Sequence, residues 1–179
     1  MNIFNAELWD KQEIRLTTLQ QNLHFTAYAA ACLLAPFLLG HPQFLVGAAV
    51  NAALVLAGLN LKTKKILPIV LLPSLGVLAR GLIFGPFTVF LVYLMPFIWV
   101  GNLILVGAFK KLHLNLKVNK IVTLGIGAAA KAGFLYASAL MLSQLQIIPK
   151  ALTIAMGPIQ LSTALVGGAL ALLIQKRLA

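Results

Sequence analysis

Acidic side chains are almost missing from this chain. Of 179 residues only three are Asp or Glu; they are Glu7, Asp10 and Glu13, and none follows Arg15. Catalysis by paired carboxylates therefore has no material beyond the first segment. Coupling to a proton or sodium gradient usually employs an intramembrane Asp or Glu, and is disfavoured on the same ground. Cysteine is as scarce: Cys32 alone can form neither a disulfide within the chain nor a thiolate metal cluster. His24, His41 and His113 are scattered, with no ligand spacing and no acid beside them, so no metal is expected. A Gly-rich nucleotide loop is missing too, because "VGGAL" lies inside an apolar run and has no Walker lysine. We expect no catalytic residue, no cofactor and no enzyme.

What fills the chain instead is apolar. Hydrophobic residues make up 61% and charged residues 9%, against roughly a quarter charged in ordinary soluble domains. Its apolar runs approach or exceed the ~18–20 residues needed to cross a bilayer. The expected fold is all-α: a polytopic membrane protein with six spans, at about 24–40, 43–61, 65–83, 86–109, 119–143 and 153–175. Two parts are expected, an amphipathic N-terminal segment over 1–22 and a six-helix membrane domain over 23–179. In the first, Ile3, Phe4, Leu8, Ile14 and Leu19 alternate with charged and amide residues, an interfacial helix pattern over 3–22. Trp9 suits the headgroup layer. That segment has neither an apolar core region nor a small-residue cleavage site, so no signal peptide is expected.

The net charge of +11 serves topology rather than nucleic acid, which is not expected as a partner. Lys11 and Arg15 precede the first span; Lys62, Lys64 and Lys65 lie between the second and third. Lys110, Lys111, Lys117 and Lys120 fall between the fourth and fifth, and Lys176 with Arg177 closes the chain. All four groups share one side of a six-span arrangement. The positive-inside rule then puts both termini in the cytoplasm of a multi-pass cell-membrane protein. The outer loops are "GHPQ", "RGLIFGPF" and "SQLQIIPKAL". Pro68 and Pro73 interrupt the third span, Pro96 the fourth and Pro158 the sixth. Such breaks either mark a binding cavity or reflect the general tolerance of membrane helices for proline.

Depth follows from ~1.5 Å of rise per residue. Lys131, in "GAAAKAGFLY", falls near the midplane; Asn51 and Gln160 lie in the outer half, with Thr163 one turn from Gln160. Arg80 is near the outer mouth. Asn102 is deeper, with Trp99 one turn above it. A charge at mid-membrane costs about 2.5–3.5 kcal/mol on insertion scales, so it normally faces a cavity or a partner. Since no span holds a carboxylate, three explanations stand for Lys131. It binds an anionic ligand from outside, it stands neutral through desolvation, or it pairs with carbonyl oxygens, water or a partner subunit's acid. Asn51, Asn102 and Gln160 each have an alternative role as interhelical hydrogen-bond ties, worth about 0.6–2 kcal/mol. Trp99 and Tyr136 offer stacking faces. The expected substrate-binding set is Asn51, Arg80, Trp99, Asn102, Lys131, Tyr136 and Gln160.

Small residues form a second pattern. Ala27, Ala31 and Ala35 recur at every fourth position in the first span, where close helix approach is possible. Gly127, Ala130, Ala132 and Gly133 do the same in the fifth, and Gly167 with Gly168 in the sixth.

The segments "LPSLGVLARG", "MPFIWVGNLILV", "AAAKAGFLYASAL" and "PIQLSTALVGGALALLI" resemble a family of small bacterial membrane proteins. These are related to the substrate-binding S components of energy-coupling factor (ECF) transporters. The resemblance runs from about residue 30 to the end, and is most specific at "PFIWVGN" and "QLSTALVGG". Proteins of this kind are often labelled iron hydrogenases, a label that one cysteine cannot support. The resemblance implies six helices, both termini cytoplasmic and an outward-opening pocket for a vitamin, a precursor or a metal ion. Lacking an N-terminal histidine cluster, this chain is not expected to be a metal-ion member. It further implies a transmembrane coupling subunit and two ATPase subunits as partners, with Ala27, Ala31 and Ala35 matching the coupling-subunit contact. The function expected is capture of a small anionic or zwitterionic nutrient. The alternative is a structural or assembly subunit of a larger membrane complex, without its own ligand.

Overall fold

A computed structural model of the chain describes residues 6–39, 42–84 and 88–178, and every regular element among them is helical. The short α1 (Ala6–Trp9) is followed by an extended stretch. Then come α2 (Thr18–Leu34), α3 (Gln43–Asn60), α4 (Thr63–Phe84), α5 (Thr88–Ala108), α6 (Lys120–Gln144), the short α7 (Ala151–Met156) and α8 (Pro158–Leu178). Helix α2 runs on through a π-helical turn, Ala35–Leu39, and α5 through another, Phe109–Asn115.

Among the described residues, five helices are long and apolar enough to cross a membrane: Thr18–Leu39, Gln43–Asn60, Phe90–Asn115, Lys120–Gln144 and Ala151–Leu178. Their outward faces are greasy. Leu19, Leu38, Ile121 and Leu173 are all more than half exposed, as lipid-facing side chains would be. Helix α4 is as long as these but carries Lys64, Lys65 and Arg80 at its two ends.

Local chemistry explains the boundaries. Helix α2 opens with a capping box, in which Thr17 Oγ1 accepts from the Gln20 amide (3.3 Å) and Gln20 Oε1 accepts from the Thr17 amide (2.9 Å). Asn119 Oδ1 caps α6 by accepting from the Ile121 amide (2.8 Å). Helices α4 and α5 continue through Pro68, Pro73 and Pro96. Pro158 opens α8, where no amide donor is needed.

Helix α3 is the centre of the bundle. It packs against α2, α4, α5 and α8, and Leu54, Val55, Ala57 and Leu59 on it are wholly buried. Its approach to α8 is backbone to backbone: a Cβ on Gly167 would stand 2.2 Å from the Ala48 carbonyl oxygen. Gly127 does the same work between α6 and the end of α5, where a Cβ would meet Ala108 at 2.9 Å.

The N-terminal stretch departs from the expected 3–22 helix. Ile3 and Phe4 lie outside the described residues, as do Gly40, His41 and residues 85–87. Beyond Trp9 the chain crosses the Asn60 end of the bundle as a non-helical strap. Asp10 Oδ1 accepts from the Thr63 amide (3.0 Å) and hydroxyl (2.6 Å) at the start of α4. The Glu13 amide donates to Leu59 O (2.8 Å). The Glu13 carboxylate meets Lys120, with His113 Nε2 4.0 Å away. Two of the three carboxylates thus tie the strap to the basic end of the bundle. The two hydrogen bonds from Thr63 hold the Asp10 carboxyl below its ordinary value.

Candidate functional site: a buried ammonium under a cavity

Helix α6 turns one stripe inward, comprising Leu124, Gly127, Ala128, Lys131, Leu135 and Ser138 at helical spacing. Lys131 is on that stripe and only 2% exposed. Its ammonium donates to Asn51 Oδ1 on α3 (2.6 Å) and to Asn102 Oδ1 on α5 (2.9 Å). Each asparagine is itself pinned. Asn51 Nδ2 donates to Gly47 O (2.9 Å) and to Thr163 Oγ1 on α8 (3.2 Å), while Asn102 Nδ2 donates to Val70 O on α4 (3.0 Å). Thr163 in turn donates to Gln160 O (3.2 Å). One polar layer therefore joins α3, α4, α5, α6 and α8 at mid-bundle.

This arrangement has a plain electrostatic reason. With no carboxylate within reach, the ammonium is offset by two aligned amide dipoles. Their oxygens accept from it while their nitrogens are spent on backbone and hydroxyl oxygens. An ammonium has three hydrogens. The third has no acceptor among the described residues.

Above the layer lies a cavity of about 150 Å³. Its floor is Asn51, Asn102 and Lys131, with the hydroxyls of Ser74 and Thr163 beside them; Gln43 and Gln160 stand towards the Gln43 end of α3. The remaining walls are apolar, including Val46, Val50, Val77, Ile98, Met156 and Ile159. Four residues named from their depth and polarity, Asn51, Asn102, Lys131 and Gln160, line this cavity.

The other three are placed elsewhere. Trp99 stands behind the wall, its Nε1 donating to Ser74 Oγ (2.7 Å). Arg80 donates to the carbonyls of Phe37 (3.0 Å) and Leu38 (3.2 Å), satisfying oxygens that the end of α2 leaves open. Tyr136 is 44% exposed and its ring covers Gly157 at the break between α7 and α8, where a Cβ would lie 2.6 Å from Tyr136 Cδ2. None of the three lines the cavity. Ser74 was not foreseen; its only signal is a hydroxyl beside Pro73 inside an apolar run. On the α2 stripe, Ala27 is exposed and Ala31 and Ala35 are half-buried.

A second buried ammonium was not foreseen either. Lys110, expected in a loop, sits in the π-helical end of α5 with 0% exposure. It donates to Leu61 O (2.8 Å) and to Lys11 O of the strap. Nearby, Asn60 and Gln175 exchange amide hydrogen bonds (2.7 and 3.0 Å), and Gln21 Nε2 donates to Asn60 O (2.9 Å).

Among the described residues, no three of His, Cys, Asp and Glu come together as metal ligands. Chemically, the mid-bundle site can hold and orient an acceptor group. Comparison with known proteins finds no matching family model, no matching curated protein and no matching solved structure.

Proposed function

We propose that this chain is the substrate-binding subunit of an ECF-type importer, capturing a small nutrient that carries an acidic group. One observation carries the reading: a fully buried ammonium, with one hydrogen that no acceptor among the described residues takes, forms the floor of a cavity with mainly apolar walls. A buried ammonium in that setting calls for an anionic group above it.

In this reading α4 is the sixth span. Its 22 residues rise about 33 Å, enough for a hydrocarbon core of about 30 Å, and its basic residues lie at the two ends. Both termini are then cytoplasmic, with the strap on the inner side among the lysines, and the Gln43 end of α3 faces outward. The chain has no group to drive transport, so the power comes from a coupling subunit and two ATPase subunits. Helix α2, the least buried of the five apolar helices, offers Ala27, Ala31 and Ala35 to the coupling subunit.

A structural subunit without a ligand is the second reading. What favours it is the polar layer itself, since hydrogen bonds joining five helices also make a sufficient clamp. Native mass spectrometry of the purified chain beside Lys131→Ala separates the two. A small acid retained by the first and lost from the second supports the binding subunit. An empty wild-type spectrum, with both chains equally stable, supports the clamp.

A further inference from the structure

We propose that the occupant of this cavity is a monocarboxylate with a compact apolar body, not an amino acid, a dicarboxylate or a neutral amide. The inference rests on the binding reading above and narrows its ligand class.

Size comes first. About 150 Å³ is the volume that holds a benzene-sized molecule, so the ligand has only a handful of heavy atoms beyond its acidic group. Donor count comes second. At the floor, both asparagine side-chain oxygens already accept from Lys131. Both amide hydrogens of Asn51 are spent, on Gly47 O and Thr163 Oγ1. The hydroxyl hydrogens are spent as well: Thr163 accepts from Asn51 and donates to Gln160 O, while Ser74 accepts from Trp99 and donates to Leu71 O (3.2 Å). Among the described residues, the floor donors not yet used are the third hydrogen of Lys131 and one amide hydrogen of Asn102. One group that accepts from both, beside a positive charge, satisfies them best, which describes an ionised carboxylate.

An α-amino acid fits this floor poorly. Its ammonium lies one carbon from the carboxylate, so it would stand close to the Lys131 ammonium, a like charge, with no carboxylate of the chain lining the cavity to offset either. A second carboxylate would lie against Val46, Val50, Val77 or Ile98, where no cation stands, and burying it unpaired is costly. The apolar walls suit a branched or cyclic hydrocarbon body instead.

The test is isothermal titration calorimetry on the full chain in lipid nanodiscs, with isovalerate, valine, isovaleramide and succinate as probes. Valine adds only the α-ammonium to isovalerate, and isovaleramide replaces one carboxylate oxygen with an uncharged, donating NH2. Isovalerate should bind, with the other three at least about tenfold weaker, the scale of a lost charge-assisted hydrogen bond. Lys131→Met should weaken isovalerate by at least as much. So should Val77→Phe, which fills the cavity from a partly exposed wall position and leaves the lysine and its asparagines in place. Valine, succinate or isovaleramide binding as tightly as isovalerate would overturn the inference. So would undiminished binding to Val77→Phe, or no binding of any probe to the wild type. A different acid retained in native mass spectra and lost from Lys131→Ala would leave the importer reading standing while this narrower one fell.

Discussion

Two lysines are buried in this bundle by the same chemistry and to opposite ends. Lys110 and Lys131 are 0% and 2% exposed, and each donates to two oxygens in place of a carboxylate. The partners of Lys110 are backbone carbonyls, one from the α3–α4 connection and one from the strap, so it closes the Asn60 end as a cross-link. The partners of Lys131 are side-chain amides, and above them is open volume. A buried ammonium is thus not in itself a site. The cavity and the unspent hydrogen make the difference.

That contrast can be broken by substitution, starting with the largest effect. Lys131→Met should abolish ligand retention, while Lys110→Met should leave the ligand affinity within about twofold, both read by titration of the ligand that the wild type retains. Stability should rank the other way. Lys110→Met leaves two carbonyls without their donor in a sealed place and should cost about 2–3 kcal/mol in a denaturation midpoint series. Lys131→Met leaves two amide oxygens beside a cavity that water can enter, and should cost about 1 kcal/mol. Adding Asn51→Leu and Asn102→Leu to Lys131→Met should recover that loss without restoring binding. A triple variant that stays destabilised would mean the layer is chiefly a clamp.

The strap sharpens the comparison further. Glu13→Gln weakens the pairing with Lys120 in a part-buried place, and should raise amide exchange over residues 10–17 with no change in the cavity. The smallest effect belongs to Asp10, whose carboxylate is surface-exposed and caps α4. Because folding holds its pKa below the ordinary value of 3.8, its contribution is fully present above that value. It is lost as pH falls through the lower folded value. Asp10→Asn should cost up to about 1 kcal/mol at neutral pH, and should flatten the acid limb of a stability–pH curve.

Much of the architecture could be read from the chain because a bilayer imposes length and greasiness on each crossing segment. The expected segments fall on the long helices to within six residues at each described end, although the last, expected unbroken over 153–175, is interrupted at Gly157 between α7 and α8. Depth was legible for the same reason: at a fixed rise per residue, Asn51, Lys131 and Gln160 count to the outer half of the bundle, whereas Asn102, which counts deeper, is brought into the same layer by its contact with Lys131. Rotation was not. Tyr136 follows Lys131 by five positions, which at 3.6 residues per turn puts it about 140° round the helix, on a different face. Counting depth brings such a residue to the right level and the wrong side. Lys110 was illegible for another reason. Its acceptors are backbone carbonyls, which every residue has, so no sequence pattern distinguishes a buried lysine of this kind from one in a loop. The strap escaped likewise, since its alternating apolar and polar residues fit an interfacial helix as well as a segment lying across the bundle end.

The most direct measurement is an experimental density map of the chain purified from its own membrane, at a resolution that shows ordered ligands. The account predicts continuous non-protein density in the cavity, with its acceptor end about 2.7–2.9 Å from Lys131 Nζ and the Asn51 and Asn102 contacts kept. Walls closed over Lys131, with a third protein acceptor taking its last hydrogen, would contradict it.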